Sequence, residues 1–352
     1  MSSTIESARG TELLHVAVVG LGYWGPNHVR NLHELPYVRR ISACDRAVDR
    51  LEKVARRFPA VNATTDFDRI LADDSVDAVI IATPVSTHFP LASAALDAGK
   101  HVMVEKPLTS SSAEALELIQ QAKAADRVLM PGHTFIYSPP VEKIKALIDT
   151  GELGDIYFVS TSRVNLGLHQ PDASVAWDLG PHDFSILRHL LEQTPSFVSA
   201  IARGCIMPAV PDVAFINLEY ASGTVAHVEL SWLAPSKLRR TTIVGSRRMI
   251  VYDDTANEPV RLFDSGASLK DPRTFGEYAL TYRTGDIVSP QIEAAEPIQR
   301  ELNDFCNAIV TGDTPRSSAE LGLEVVRTIE AVDASLASDG ARVPVDASPV
   351  DA

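Results

Sequence analysis

Short apolar runs alternate with amphipathic stretches in the first 130 residues of the chain, and this alternation constrains the fold more than any other feature. The apolar runs, which we predict to be buried parallel strands, are 15–19, 38–44, 78–82, 101–104 and 128–130. Helical patterns separate them, at 48–57, 90–98 and 111–125 among others. Strands that alternate with helices predict an α/β domain with a doubly wound parallel sheet over residues 1–133.

The pattern changes beyond residue 131. Longer alternating runs then follow one another with few helices between them, at 155–165, 197–204, 213–220, 224–232, 239–245 and 249–253. Glycine-containing turns join several of these runs, which indicates β-hairpins and a largely antiparallel sheet. We therefore expect a second, α+β domain over residues 134–352, with an irregular segment at 265–295 and helices at 298–310 and 318–338.

Composition excludes several classes of partner. The 352 residues include 32 Lys and Arg against 46 Asp and Glu, and the resulting net charge of −14 repels nucleic acid. No stretch approaches the run of about 18 apolar residues that a membrane span needs, and the N-terminus lacks the apolar core of a signal peptide. Cys44, Cys205 and Cys306 lack metal-site spacing and suit a reducing compartment. We expect a cytoplasmic protein without a metal, a membrane partner or a nucleic-acid partner.

A glycine-rich motif, Gly20-Leu-Gly22-Tyr23-Trp24-Gly25, directly follows the first predicted strand. In dinucleotide-binding proteins the first glycine permits a tight turn and the second lets the backbone approach the pyrophosphate. The third lets helix and strand pack closely, and the helix N-terminus offers N–H groups to the phosphates. We therefore expect this turn, including Tyr23 and Trp24, to bind a dinucleotide.

The residues that follow the second strand indicate which nicotinamide cofactor is bound. Asp45 stands where an acidic side chain accepts hydrogen bonds from the adenosine ribose, and this favours NAD. Arg46 beside it is able to hold a 2′-phosphate, so NADP stays an alternative.

Two further predicted strands end in residues expected at the cofactor crevice, because ligands of such sheets bind outside the carboxyl ends of the strands. Thr83 and Pro84 follow one of these strands, and His88 lies just beyond, either in contact with the cofactor or hydrogen-bonded to backbone. Glu105 and Lys106 follow the next strand, where the lysine is a candidate general base.

The segment Trp177-Asp178-Leu-Gly-Pro-His182-Asp183 opens a predicted helix. Asp178 and His182 are four residues apart, so on a helix they share one face. A carboxylate beside an imidazole fixes its tautomer and supports proton transfer. The alternative is that Asp178 caps the helix and His182 fills a half-buried position.

Four motifs occur together in this chain, in the order GLGYWG, ATPVSTH, VEKP and WDLGPHD. Their order and spacing resemble those of the glucose–fructose oxidoreductase / inositol dehydrogenase / MocA (Gfo/Idh/MocA) family over about residues 14–345. The resemblance implies an N-terminal Rossmann domain and a C-terminal α+β domain with an open-faced sheet. Such a sheet often mediates oligomerisation, so we expect a homodimer or a homotetramer.

The same resemblance implies roles for individual residues. Lys106 corresponds to a catalytic lysine that precedes a cis proline, and His182 corresponds to the proton acceptor or donor, oriented by Asp178. The resemblance also implies cofactor contacts for four further residues of these motifs, namely Glu105, Thr83, Pro84 and His88.

Within the family, GYWGPN and WDLGPHD resemble enzymes that oxidise nucleotide-activated sugars. This implies NAD-dependent oxidation of a secondary hydroxyl, at C3 of a sugar such as UDP-N-acetylglucosamine. The candidate substrate contacts are Tyr137, Arg163 and Asn165, together with His182. The alternative for each of the first three is that it is a residue of the sheet surface without contact to substrate. The alternatives are a dehydrogenase of a free sugar or inositol, an NADPH-dependent 3-ketoreductase of a deoxysugar nucleotide, and a cofactor-binding regulator without catalysis.

Overall fold

The computed structural model describes residues 13–167, 169, 173–269 and 280–348. The chain forms two compact units. The first runs to Thr134 and also includes Glu296–Val326, and the second consists of Phe135–Ala295 and the chain from Arg327 onward.

The N-terminal part of the first unit alternates strands and helices, as expected. Its elements are β1 (Leu14–Val19), α1 (Gly25–Glu34), β2 (Val38–Cys44), α2 (Val48–Arg57), β3 (Asn62–Thr64), α3 (Phe67–Ala72), β4 (Ala78–Ile81), α4 (His88–Asp97), β5 (His101–Glu105), α5 (Ser112–Ala125) and β6 (Leu129–Gly132).

These strands form one parallel sheet in the order β3-β2-β1-β4-β5-β6. The strand order reverses between β1 and β4, and such a reversal opens a crevice at the carboxyl ends of the strands. β1 and β4 are buried along their whole lengths, which explains why their sequences are apolar at every position except His15. The prediction of a doubly wound parallel sheet is confirmed.

The second unit begins with α6 (Pro139–Asp149), β7 (Ile156–Val164) and α7 (Val175–Leu191). A run of strands follows, namely β8 (Phe197–Arg203), β9 (Val213–Glu219), β10 (Val225–Ser231), β11 (Leu238–Gly245), β12 (Met249–Asp253), β13 (Val260–Leu269) and β14 (Leu280–Val288). The last elements of the described chain are α8 (Pro297–Thr311), α9 (Ala319–Ala337) and β15 (Val343–Pro344).

The second sheet has the order β14-β13-β12-β11-β7-β10-β9-β8-β15. Among the described strands β7 and β10 run parallel, and the other neighbours are antiparallel. Helix α7 packs on β7, β9 and β10. The predicted α+β class with a largely antiparallel sheet is confirmed.

Two expectations differ from the structure. The prediction of an irregular segment over 265–295 is wrong where β13 and β14 pair, because backbone pairing along this hairpin outweighs the low strand propensity of Gly266 and Gly285. Residues 270–279 lie outside the described residues. A single boundary at residue 133 also differs from the structure, because Glu296–Val326 belongs to the first unit, where α8 packs on α1.

Within the described ranges, no helix combines the length and the apolar character that crossing a membrane requires.

Candidate active site

The glycine-rich turn between β1 and α1 has three glycines in three different environments. Gly20 has a φ of +90°, and a Cβ there would lie 2.6 Å from the carbonyl oxygen of Ala82. A Cβ on Gly25 would overlap the carbonyl oxygen of Gly20. By contrast, no atom lies within 4 Å of the position of a Cβ on Gly22. The first and third glycines are therefore required by packing, while the second leaves the room that a pyrophosphate needs.

Helix α1 begins at the third glycine, with a proline in its first turn. Tyr23 and Trp24 directly before it are 81% and 39% exposed, and their rings meet edge to face. Backbone N–H groups at this helix end suit an anion. The contact of Tyr23 and Trp24 with the cofactor stays a prediction.

Asp45 follows β2 and joins it to the glycine-rich turn. Its carboxylate accepts hydrogen bonds from the backbone N–H of Leu21 at 2.6 Å and of Ala47 at 2.8 Å. A carboxylate has about four lone-pair sites, so it is also able to accept ribose hydroxyls. Arg50 lies 3.5 Å from the same carboxylate, and Arg46 is exposed beside it.

His88 is buried at the start of α4 and bridges two loops. Its Nδ1 and Nε2 atoms each lie 2.9 Å from a carbonyl oxygen, those of Pro107 and Thr83 respectively. Burial lowers the pKa of the imidazole, although the two carbonyl oxygens favour the cation. These contacts agree with the backbone-bonded alternative, and contact of His88 with the cofactor stays a prediction.

The other residues of these loops lie at the carboxyl ends of β4 and β5. Thr83 is half-buried and its hydroxyl accepts a hydrogen bond of 2.7 Å from Thr87, while Pro84 is exposed. Lys106 is half-buried, and the Lys106–Pro107 peptide is cis, as the family resemblance implied.

Glu105, the last residue of β5, is buried rather than exposed to the crevice. It accepts a hydrogen bond of 2.8 Å from Nε2 of His28 on α1. Its other oxygen lies 3.3 Å from the backbone N–H of Lys106. Glu105 therefore contacts the backbone of Lys106 on one side and the side chain of His28 on the other.

In the second unit, Asp178 and His182 both lie on α7, and both are half-buried. Ser174 caps this helix, since its hydroxyl accepts a hydrogen bond from the backbone N–H of Trp177. The alternative that Asp178 is the cap is therefore wrong. The Asp178 carboxylate accepts a hydrogen bond of 3.2 Å from the indole N–H of Trp232.

The ring of Phe135 connects His182 to a buried ion pair. The imidazole meets this ring edge to face, with 4.8 Å between the centroids. The guanidinium of Arg163 lies 4.6 Å from the same centroid, and that of Arg239 lies at 5.4 Å. Arg163 is bonded to Asp183 with an N–O distance of 2.5 Å, and both side chains are nearly inaccessible to solvent.

The remaining predicted substrate contacts are less prominent. Tyr137 is 1% exposed and contributes to the core of the second unit. Asn165 is half-buried just beyond β7, where its backbone pairs with Ser231 and Ala234. Their contact with substrate stays a prediction.

Sequence reasoning missed four side chains of these surroundings. Arg50 lies five residues beyond Asp45, in the next helix, where its charge was the only available signal. Phe135 and His28 belong to none of the four motifs, while Asp183 is the last residue of WDLGPHD and was given no role there. Their roles depend on contacts between residues far apart in sequence.

Comparison with known proteins agrees with both units. Residues 14–133 match the oxidoreductase family with an NAD-binding Rossmann fold, GFO_IDH_MocA, and residues 141–251 match the GFO/IDH/MocA C-terminal domain. The chain is 31% identical over 310 residues to D-xylose 1-dehydrogenase (NADP(+)) 2 of Haloferax volcanii. That alignment covers 84% of this chain and 89% of the relative.

Solved structures of the same fold include GenD2 from gentamicin A biosynthesis in complex with NAD. It aligns with a TM-score of 0.82 and 26% identity over 98% of this chain and 99% of that chain. UDP-N-acetylglucosamine 3-dehydrogenase GnnA from Acidithiobacillus ferrooxidans aligns with a TM-score of 0.76 and 25% identity, over 92% of this chain and 98% of that one.

Proposed function

Because this chain belongs to the GFO/IDH/MocA family of NAD-binding oxidoreductases, we propose that it oxidises a secondary hydroxyl of a sugar. The observation that carries the proposal is the common edge of β1, β4 and β5. These strands are parallel neighbours, so the open Gly22, the Thr83 loop and Lys106 follow strands that end at the same edge. Ligands of doubly wound sheets bind at this edge, beside the point where the strand order reverses.

We assign the cofactor to the glycine-rich turn and the end of β2. The N–H groups at the start of α1 would hold the pyrophosphate, and Asp45 would accept the ribose hydroxyls, which favours NAD. When bound, the nicotinamide supplies the acceptor for the hydride that leaves the substrate carbon. Arg46 and Arg50 are the two cations that would hold a 2′-phosphate if NADP is used instead.

Oxidation of an alcohol also releases the hydroxyl proton, and this chain's side chains must take it. We assign that step to Lys106 and His182, with Asp178 as the carboxylate that sets the orientation of His182. General acid–base catalysis of this kind contributes about 10²–10⁴-fold to a rate. Phe135 and Arg163 are positioned to restrict the imidazole, because the ring of Phe135 contacts both groups.

For the substrate, we propose C3 of a nucleotide-activated sugar such as UDP-N-acetylglucosamine. The WDLGPHD motif supports this choice, as does the similarity to GnnA, which covers 92% of the chain.

A free sugar or inositol is the second candidate, and two observations favour it. The relative at 31% identity is a D-xylose dehydrogenase. In addition, Arg163 pairs with Asp183, and Arg239 pairs with Asp254. Both positive charges are therefore already neutralised by carboxylates, which makes these arginines poor ligands for a diphosphate. Reduction of a 3-keto-deoxysugar nucleotide with NADPH remains the alternative that Arg46 supports.

We propose that a second copy of the chain covers the face of the large sheet opposite α7. Phe158, Ile201, Phe215 and Val225 lie in β7–β10 and are between 41% and 70% exposed. Apolar side chains grouped in this way on one surface favour burial in an oligomer. Sedimentation at several concentrations would measure the mass, and a strictly monomeric protein would contradict this part of the proposal.

As the cysteine usage suggests, we place the protein in the cytoplasm.

The decisive experiment follows NADH or NADPH formation with a panel of UDP-sugars, dTDP-sugars, free hexoses, pentoses and inositols. Turnover confined to UDP-N-acetylglucosamine or its uronate would support the primary proposal. Turnover of free sugars or inositols would keep the chemistry and replace the substrate. Reduction of a keto-sugar nucleotide by NADPH without the forward reaction would favour the reductase. Tight cofactor binding with no turnover of any compound would contradict the proposal and favour a regulator.

A further inference from the structure

Glu301 is a buried acid to which the proposed chemistry assigns no role. It lies on α8 with no solvent exposure, and one carboxyl oxygen accepts a hydrogen bond of 2.8 Å from the Thr134 hydroxyl. Burial raises the pKa of Glu301 well above its usual range, and the negative charge of Glu105 adds to that rise. Asp304, one turn along the same helix, acts in the same direction.

The groups around Glu301 are also polar and buried. Glu105 on β5 is bonded to His28 on α1, and Glu105 pairs in register with Gly132 on β6. A Cβ on Gly132 would lie 3.4 Å from the Glu105 carboxylate, so the glycine provides room for it. His133 follows on the same strand end, where burial and then the charge of Lys106 lower its pKa to about 3.

Several polar atoms of this cluster have no hydrogen-bond partner within the described part of the chain. They are Nδ1 of His28, both ring nitrogens of His133 and Oε1 of Glu301. Buried polar atoms in native proteins are nearly always hydrogen-bonded, to ordered water where no protein group is near. A cluster with this many donors and acceptors is suited to bind such water.

We propose that Glu301 is held as a neutral carboxylic acid that donates a hydrogen bond, through ordered buried water, to the Glu105–His28 pair, and that it is thereby a positioning residue for Lys106. The proton stays on Glu301 throughout turnover, so no bond to it forms or breaks. Its effect on turnover rests on the proposed function, whereas its protonation state does not.

The connection to Lys106 follows from chain geometry. Glu105 directly precedes Lys106 and lies within 3.3 Å of its backbone N–H. A second ionised carboxylate in the same buried cluster would repel Glu105 and weaken its bond to His28. Neutral Glu301 removes that repulsion, and so the end of β5 keeps its position.

The first test compares Glu301→Gln with wild type, because glutamine has the shape of a neutral glutamic acid and cannot ionise. Above about pH 4.5 an unfolded glutamate is ionised, so folding must protonate Glu301, and wild-type stability falls as pH rises towards the folded pKa. Glu301→Gln avoids this loss. We expect the melting temperature of the variant to exceed that of wild type by a margin that grows from pH 5 upward.

Glu117→Gln is the control for the substitution itself, since it makes the same change of side chain at an exposed position on α5 of the same unit. Its margin over wild type is expected to stay constant with pH. Infrared difference spectra give a direct readout, because the C=O stretch of a protonated carboxylic acid at neutral pH would be present in wild type and in Glu117→Gln but missing in Glu301→Gln.

Activity tests the positioning role. Glu301→Gln keeps a neutral hydrogen-bond donor, so we expect its kcat to lie within about twofold of wild type. Glu301→Leu loses the donor, and we expect its kcat to fall about tenfold while its affinity for NAD stays unchanged. We expect kcat of wild type to decline at high pH, where Glu301 ionises, and we expect no such decline in Glu301→Gln.

Two results would overturn the proposal: equal melting temperatures of Glu301→Gln and wild type at every pH, or a loss of kcat in Glu301→Gln as large as in Glu301→Leu. The stability and infrared measurements need no substrate. They therefore decide the protonation state of Glu301 even if no sugar in the panel is turned over.

Discussion

The carboxylate of Asp45 accepts a hydrogen bond of 2.6 Å from the backbone N–H of Leu21, within the glycine-rich turn. The end of β2 is thereby bonded to the turn that follows β1. One carboxylate thus shapes the turn and offers its other lone pairs to a ribose. Any change at this position alters both roles together.

We expect Asp45→Ala to weaken NADH binding by about 10- to 100-fold, since hydrogen bonds to charged groups contribute about 1.5–3 kcal/mol. NADPH binding is expected to weaken less, because removal of the negative charge leaves Arg46 and Arg50 free to attract a 2′-phosphate. Fluorescence titration with both reduced cofactors measures the ratio. Asp49→Ala, on the exposed face of α2, is the control. An unchanged ratio of the two affinities would contradict the assignment of Asp45.

The glycines of the turn allow a test that separates folding from cofactor binding. A methyl group on Gly25 would overlap the Gly20 carbonyl, so Gly25→Ala is expected to lower the melting temperature and abolish NADH binding. Gly22→Ala meets no protein atom within 4 Å. We expect it to keep the wild-type melting temperature and to weaken NADH at least tenfold, as judged by scanning fluorimetry and titration. Tight NADH binding by Gly22→Ala would show that the pyrophosphate does not approach here.

Lys106→Ala is expected to lower kcat by about 10²–10⁴-fold, the usual contribution of a general base. The Kd for NADH should stay within about threefold of wild type, because the residue acts on the substrate hydroxyl. Steady-state kinetics and cofactor titration give the two values, with the exposed Lys53→Ala as control. If Lys106→Ala retained wild-type turnover, the assigned proton transfer would have to be abandoned.

Removal of Asp183 should destabilise the second unit, because Arg163 would remain buried without its partner. Loss of one member of a buried ion pair costs about 3–5 kcal/mol. We expect urea unfolding to report a loss of this size for Asp183→Ala. The double variant Arg163→Met/Asp183→Leu is expected to recover most of it, since no buried charge is left. A double variant as unstable as Asp183→Ala would mean that packing, rather than charge, dominates at this position.

Much of the fold follows from local sequence. The central strands β1 and β4 of the first sheet are largely apolar and fully buried, and Gly20, Gly22 and Gly25 have the environments that their spacing predicts. The short edge strand β3 is polar and mostly exposed, and no apolar run predicted it. The pairing of β13 with β14 could not be predicted from local sequence, because these polar and glycine-containing strands are stabilised by pairing with each other.

The side chains that support the candidate catalytic residues were the least predictable. Phe135 contacts His182, and Glu301 lies in the cluster behind Lys106, yet each comes from a distant part of the chain. A phenylalanine and a glutamate outside any motif are ordinary residues in sequence. Their significance arises only from burial and from the neighbours that the fold provides.

The return of Glu296–Val326 to the first unit also imposes an order of assembly during synthesis. A ribosome delivers residues up to Thr134 long before it delivers α8, so the surface of α1 that receives α8 stays uncovered while Phe135–Ala295 of the second unit is translated. The unit that emerges first is therefore completed only after most of the second unit has been synthesised. A nascent chain that stalls before Glu296 lacks Glu301, and it presents an unfinished surface of α1 to chaperones and proteases.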